Sequence, residues 1–164
     1  MDKLIFTGQI IKARGGHAQL WVPGGNDLQV RPDDWPEQLY AGSLNVLIAS
    51  NGYPEVMQSR RVPLTVKSLD VAGFAPEFTI PQHLMRNNQL TAIPTMPDRG
   101  TAQIWRARLL VGEHNVACWV LRRIGSGLEH ELELVSGEGI RSTYKLPEDV
   151  RWPAIVHVIG RWGA

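Results

Sequence analysis

The amino-acid sequence predicts a mainly β protein, a compact β-barrel with short helical insertions. Two observations lead there. Apolar and polar residues alternate over several short stretches bounded by glycine-rich turns, the pattern of strands with one buried face. The segments with helical character are few and brief, so many short strands must bury their apolar faces against one another.

In chain order, "KLIFTGQIIKA" (3–13) and "AQLWV" (18–22) read as two strands around the turn "RGGH". "RPDDWPEQLYAG" (31–42) predicts a short helix, with Asp33 or Asp34 as N-cap, Pro36 near the first turn and Gly42 just past the end. "SLNVLIAS" (43–50) is a third strand. "RRVPLTVKSLDV" (60–71) reads as extended, with Pro63 pushing it to an edge or bulge. "TIPQHLMRNNQ" (79–89) suggests another short helix. "GTAQIWRARLLVG" and "VACWVLRRIG" flank the turn "GEHN", giving a second hairpin over residues 101–124. In "HELELVSG" (130–137), Leu132 and Leu134 share one face and Glu131, Glu133 and Val135 the other. "SGEGIRSTYKL" (136–146) predicts a helix capped by Ser136, with Glu138 at its positive end. "WPAIVHVIGRW" (152–162) closes the chain as a strand. No linker divides residues 1–164, so one domain is expected, with the proline-rich stretch at about 50–100 as an insertion or lid.

With 43% apolar residues the chain can build a real core. A net charge of +1 supplies no field for nucleic acid or for a membrane surface. The lone Cys118, between Val116-Ala117 and Trp119-Val120, reads as a buried strand thiol and argues against a disulfide framework. The opening "MDKLIFTGQI" lacks a secretory apolar run, and no stretch is long enough for a membrane helix. A soluble cytoplasmic protein is expected. The histidines (17, 83, 114, 130, 157) form no HxH or HExxH group. The six tryptophans read mainly as core or edge anchors, and the pairs Arg60-Arg61 and Arg122-Arg123 as solvated faces.

Three stretches carry candidate chemistry. In "KARGGHAQL" (12–20), glycines free consecutive backbone N–H groups to converge on an anion, with Lys12 or Arg14 adding charge; the plain alternative is a hairpin turn. Ser43 and Asn45, two apart at a strand mouth, point the same way and offer two hard oxygens to a Mg²⁺ carried on a nucleotide, or else simply form a turn. In "HELELVSGEGIRS", Glu133 is a candidate base or ligand acceptor, or a solvated strand carboxylate. The bend after it opens a helix start suited to an anion, with Arg141 beside it.

In order, "TGQIIKARGGHAQL", "AGSLNV" and "ELVSGEGIR" resemble the CTP-dependent riboflavin kinases known mainly from archaea. That family has a glycine-rich turn near its start, a "GTLN" before a strand and a late "E-I-I-A-P-x-x-L-R" corner. The likeness spans roughly residues 4–48 and 115–160. It implies a single six-stranded cradle-loop barrel that transfers a phosphate from CTP to the 5′-hydroxyl of riboflavin, giving FMN, with Mg²⁺ as cofactor. Ser43 and Asn45 then correspond to the metal ligands, and Glu133 to the glutamate at the flavin and its reacting hydroxyl. Arg14, Gly15, Gly16, His17 and Ala18, with Glu138, Gly139, Ile140 and Arg141, correspond to the nucleotide-binding residues. Ala13 and His17 stand where the family's turn has glycine, and Gly137 where its corner has proline. The alternative function is a non-catalytic barrel module that holds a flavin or nucleotide. A DNA-binding barrel is a third reading, disfavoured by the near-neutral charge.

Overall fold

The computed structural model describes residues 2–12, 21–71, 73–85 and 90–162. Its strands are β1 (Asp2–Ile11), β2 (Leu44–Ile48), β3 (Phe74–Ala75), β4 (Phe78–Ile80), β5 (Ala102–Val111), β6 (His114–Arg123), β7 (Glu131–Val135) and β8 (Trp152–Trp162). Three helical turns are short: α1 (Glu55–Ser59), α2 (Ser68–Val71) and α3 (Ile140–Thr143). The strands pair in the order β3-β8-β1-β2-β7-β6-β5-β4. A further antiparallel pairing of β8 with β5 closes β8, β1, β2, β7, β6 and β5 into a six-stranded barrel. β3 and β4 lie outside it.

The alternation read from the sequence is what fills the barrel. Leu4, Phe6 and Ile10 from β1 meet Val46, Ile48, Leu132, Leu134, Val120, Trp105, Leu109, Val156 and Val158 in one apolar interior. Cys118 sits there as a free thiol, and burial pushes it up to about 12. The β5–β6 hairpin turns through Gly112 and Glu113, with Val111 opposite His114. Gly112 has φ +56°, the left-handed conformation that such a two-residue turn requires.

The described residues of 50–75 are largely non-strand, yet they are core-forming. Tyr53, Met57, Val66, Leu69 and Phe74 join the interior cluster. They plug the barrel end at which β2 finishes and β7 begins, opposite the mouth at Leu44. Ile140 and Leu146 close the mouth end.

A second apolar cluster lies on the outside of the barrel. Val22, Leu28 and Trp35 from the long β1–β2 connection pack with Ile80, Ile104, Trp119, Leu121 and Val135. This explains why 31–42 forms no helix. Trp35 is buried, its indole N–H donates to the Pro23 carbonyl at 3.0 Å, and the Gly25 N–H donates to that of Pro36. Arg106 ties the same segment down through Asp34 while lying over the Trp119 ring.

Other expectations are corrected as well. β8 takes one edge of β1 and β2 the other at Gly8–Ile11; of the expected strand 18–22, Trp21 makes a single bridge, Val22 is in no strand, and residues 18–20, like the turn before them, lie outside the described residues. Residues 60–71 are turns ending in α2 rather than an extended strand. Of 79–89, Thr79 and Ile80 belong to β4 and Gln82–Leu84 make one 3-10 turn; residues 86–89 lie outside the described set. Arg122 and Arg123 are buried, so that pair is no solvated face. Among the described residues no helix is long and apolar enough to cross a membrane.

Candidate functional site

One row of the barrel wall brings the sequence candidates together. Ile11 on β1 stands opposite Asn45 on β2, Asn45 opposite Glu133 on β7, and Glu133 opposite Leu121 on β6. Leu44, Val46, Leu132 and Leu134 take the inside of β2 and β7, so Asn45 and Glu133 project from the outer face. Gly42 turns the chain into β2 with φ +90°, and Ser43 follows at the mouth.

The Ser43 hydroxyl lies 3.0 Å from Asn45 Oδ1 and 3.1 Å from Glu133 Oε2. Three oxygens from three sequence positions thus converge around one hydroxyl proton, which can be donated to only one acceptor at a time. Glu133 is a half-buried group, not a solvated carboxylate. Burial raises its pKa above 4.5, and neighbouring Glu131 adds to the rise. The Ser43 hydrogen bond and the Arg122 and Arg123 charges oppose it without cancelling it.

Oxygen donors at such spacing suit a hard cation. An octahedral Mg²⁺ with ligand distances of about 2.1 Å separates adjacent ligand oxygens by about 3 Å. A hydroxyl and an amide oxygen are few enough to suit a Mg²⁺ that arrives on a nucleotide, with the Glu133 carboxylate beside them. Among the described residues, no group of three or more His, Cys, Asp or Glu side chains makes a dedicated metal site.

The late corner is placed differently from its sequence reading. α3 is a single turn with Gly139 at its cap position, and the Ser136 hydroxyl accepts from the Glu138 N–H rather than capping the helix. Glu138 is exposed and accepts from the Tyr144 hydroxyl; Ile140 is buried in the barrel cluster. Arg141 donates to the carbonyls of Leu146 and Pro147 at 3.3 Å and to that of Ile11 at 2.8 Å. It therefore anchors the corner to β1 on the Asn45–Glu133 row, where the chain leaves for the glycine turn. Arg14, Gly15, Gly16, His17 and Ala18 lie outside the described residues.

The sequence reading missed the basic side of this face. Arg123 is 5% exposed; its Nε donates to the Gly100 carbonyl at 2.6 Å, and its Nη2 is buried without a partner among the described residues. Burial pulls its pKa down to about 10 against the opposing charge of Glu133. Arg122 points inward and is fully engaged, with Asp70 at 3.1 Å and the carbonyls of Leu128 and Ser126 at 3.0 and 3.5 Å. The available signal was an Arg pair ending a strand as apolar as "VACWVL".

No family model and no curated protein matches this chain.

Proposed function

We propose that this protein transfers the terminal phosphate of a nucleoside triphosphate, CTP by preference, to the 5′-hydroxyl of riboflavin, giving FMN. The observation that carries this is the convergence of Ser43, Asn45 and Glu133 oxygens, drawn from two ends of the chain, on one outward-facing row. The order and content of the three sequence pieces supply the substrates.

In this reading Ser43 and Asn45 hold a nucleotide-borne Mg²⁺, which when bound offsets charge on the phosphate oxygens. Glu133 accepts the proton of the attacking hydroxyl as the new O–P bond forms and the bond to the leaving nucleoside diphosphate breaks. Its raised pKa makes it a stronger base than an ordinary glutamate, provided it is ionised. In the sequence, residues 14–18 follow Ile11 and the 138–141 corner follows Glu133, and in this reading both hold the nucleotide. Both substrates are small molecules of the cytoplasm, where such a reaction would run.

A second reading, a binding module that transfers nothing, is favoured by one observation. The Arg141 Nη1 and Nη2 groups are already committed to backbone carbonyls, which leaves the corner a weaker phosphate clamp than a free guanidinium. Incubation with riboflavin, Mg²⁺ and each of CTP, ATP, GTP and UTP, followed by chromatography of flavins, separates the two. FMN formed with one nucleotide, and abolished in a folded Asn45→Ala variant, supports transfer. Flavin binding without FMN establishes the module, and turnover unchanged in Asn45→Ala overturns the metal assignment.

A further inference from the structure

We infer that Arg123 is a substrate-binding residue, its Nη2 donating a hydrogen bond to a carbonyl oxygen on the planar ring of the phosphate acceptor. This rests on the reading of Glu133 as the group at the reacting hydroxyl.

The starting point is an unmet requirement. Buried polar groups are almost always hydrogen-bonded, and a buried charged N–H without an acceptor is costly. Arg123 is nearly inaccessible, its orientation is fixed by the Nε bond to Gly100, and Nη2 has no partner among the described residues. Gly100 is itself held, its N–H donating to Ile124 at 2.7 Å. The guanidinium is therefore preset rather than loosely placed.

The sheet register places this donor relative to Glu133. Leu121 is opposite Glu133, and Arg123 is two residues farther along β6 on the same outer face. Adjacent strands lie about 5 Å apart and two residues span about 7 Å, so the two backbone positions are about 8 Å apart. Arg123 also lies on the side of Glu133 away from Ser43. The face thus runs from the metal-binding oxygens, through the base, to an unfilled donor. An acceptor with its hydroxyl at Glu133 and a ring carbonyl some way along would span that line.

The surroundings select a neutral acceptor over a phosphate. Glu133 projects from the same face as Arg123, and its carboxylate opposes a dianion beside that arginine. Leu47, half-buried beside Asn45 and opposite Glu131, gives apolar surface for a flat ring.

The test uses the full chain and two variants, Arg123→Met and Arg123→Lys. Binding of riboflavin, of lumichrome (the ring without the hydroxylated chain), of ribitol (the chain without the ring), and of CTP with Mg²⁺ is measured for each, with thermal denaturation alongside. The expected result is that Arg123→Met weakens riboflavin and lumichrome at least about tenfold, leaves ribitol and CTP–Mg²⁺ unchanged, and does not lower Tm. Truncating a donor to a buried acceptor typically has an effect of this size. Arg123→Lys should restore part of the affinity, and it carries the test if Arg123→Met does not fold. Riboflavin bound equally well by folded variants overturns the assignment of Arg123 while leaving the proposed function standing. Loss of CTP–Mg²⁺ binding in place of ring binding shows a phosphate site and overturns the carbonyl. A wild-type protein that binds CTP–Mg²⁺ but neither flavin nor lumichrome refutes the acceptor itself, and Arg123's role with it.

Discussion

Glu133→Gln separates the electrostatic cost of the site from its proposed catalytic use. The amide keeps the shape of the side chain and an oxygen that accepts from Ser43, but removes the charge and the base. Two stability effects then compete. A hydrogen bond to a neutral acceptor is weaker than one to a carboxylate by about 1 kcal/mol. Against this, the variant no longer holds a carboxylate in a partly desolvated place, and the raised pKa shows that desolvation outweighs the favourable partners. Glu133→Gln should therefore be more stable than wild type at neutral pH. The sign follows from linkage: a carboxyl whose folded pKa is above its unfolded value of about 4.5 favours folding while protonated, and loses that contribution as pH rises through the folded pKa. The Tm advantage should thus be present at pH 7–8 and close as pH falls toward 4.5. Turnover should move the other way, falling by about 10² to 10⁴ for loss of a general base, or about 3–5 kcal/mol of barrier at 1.36 kcal/mol per decade. Tryptophan fluorescence melts across pH and chromatographic FMN assays measure both. A Tm difference that does not change with pH would refute the desolvation argument, and full turnover would refute the base.

Ser43→Ala removes the hydrogen bond that lowers the Glu133 pKa, so the acid limb of the kcat/KM profile should shift to higher pH; a shift downward contradicts the geometry. Asp70→Ala leaves the buried Arg122 with only carbonyl partners and should cost about 3 kcal/mol in urea denaturation, whereas a change within about 0.5 kcal/mol would mean that the carbonyls suffice. Cys118, buried with its thiol pushed up to about 12, should resist iodoacetamide in the native protein and react on unfolding; mass spectrometry of labelled native and urea-treated protein checks this.

The barrel was legible because its strands are written in period two and its interior is filled from one parity of each strand. The long strands were all identified: β1, β2, the β5–β6 hairpin, β7 and β8. What misled was local chemistry overridden by packing. The caps and prolines of 31–42 suggest a helix, but Trp35 gains more by burial against Trp119 and Phe78 in edge contacts at 5.0 Å than a short helix would supply. The role of 50–75 was illegible because it plugs the barrel with single residues (Tyr53, Met57, Leu69) that no periodicity marks. At the candidate site, the Ser43–Asn45 pairing followed from strand alternation alone. The contact of Ser43 with Glu133, 90 residues away in sequence, depended on which strands are neighbours. Arg123 was invisible because its meaning lies in an unpaired atom, and pairing is a property of the fold.

Two adjacent buried arginines show why the outer face reads as a site and the inner one as structure. Both stand at the end of an apolar strand, and both violate the rule that keeps charge out of cores. Arg122 meets a carboxylate and two carbonyls through all three of its nitrogens, so its burial is compensated within the fold and its loss should matter to stability. Arg123 has a fixed orientation and an uncompensated donor on the face that also carries Glu131, Glu133, Asn45 and Ser43. The barrel does not need this group to close, because its interior is apolar and the second cluster seals its flank. A charge that is buried, held rigid and left incomplete stabilises little by itself; its geometry gains value when an acceptor completes it. Polar groups that break a local rule without a compensating partner are where function is expected to reside, and Arg123 shares one face with the three converging oxygens.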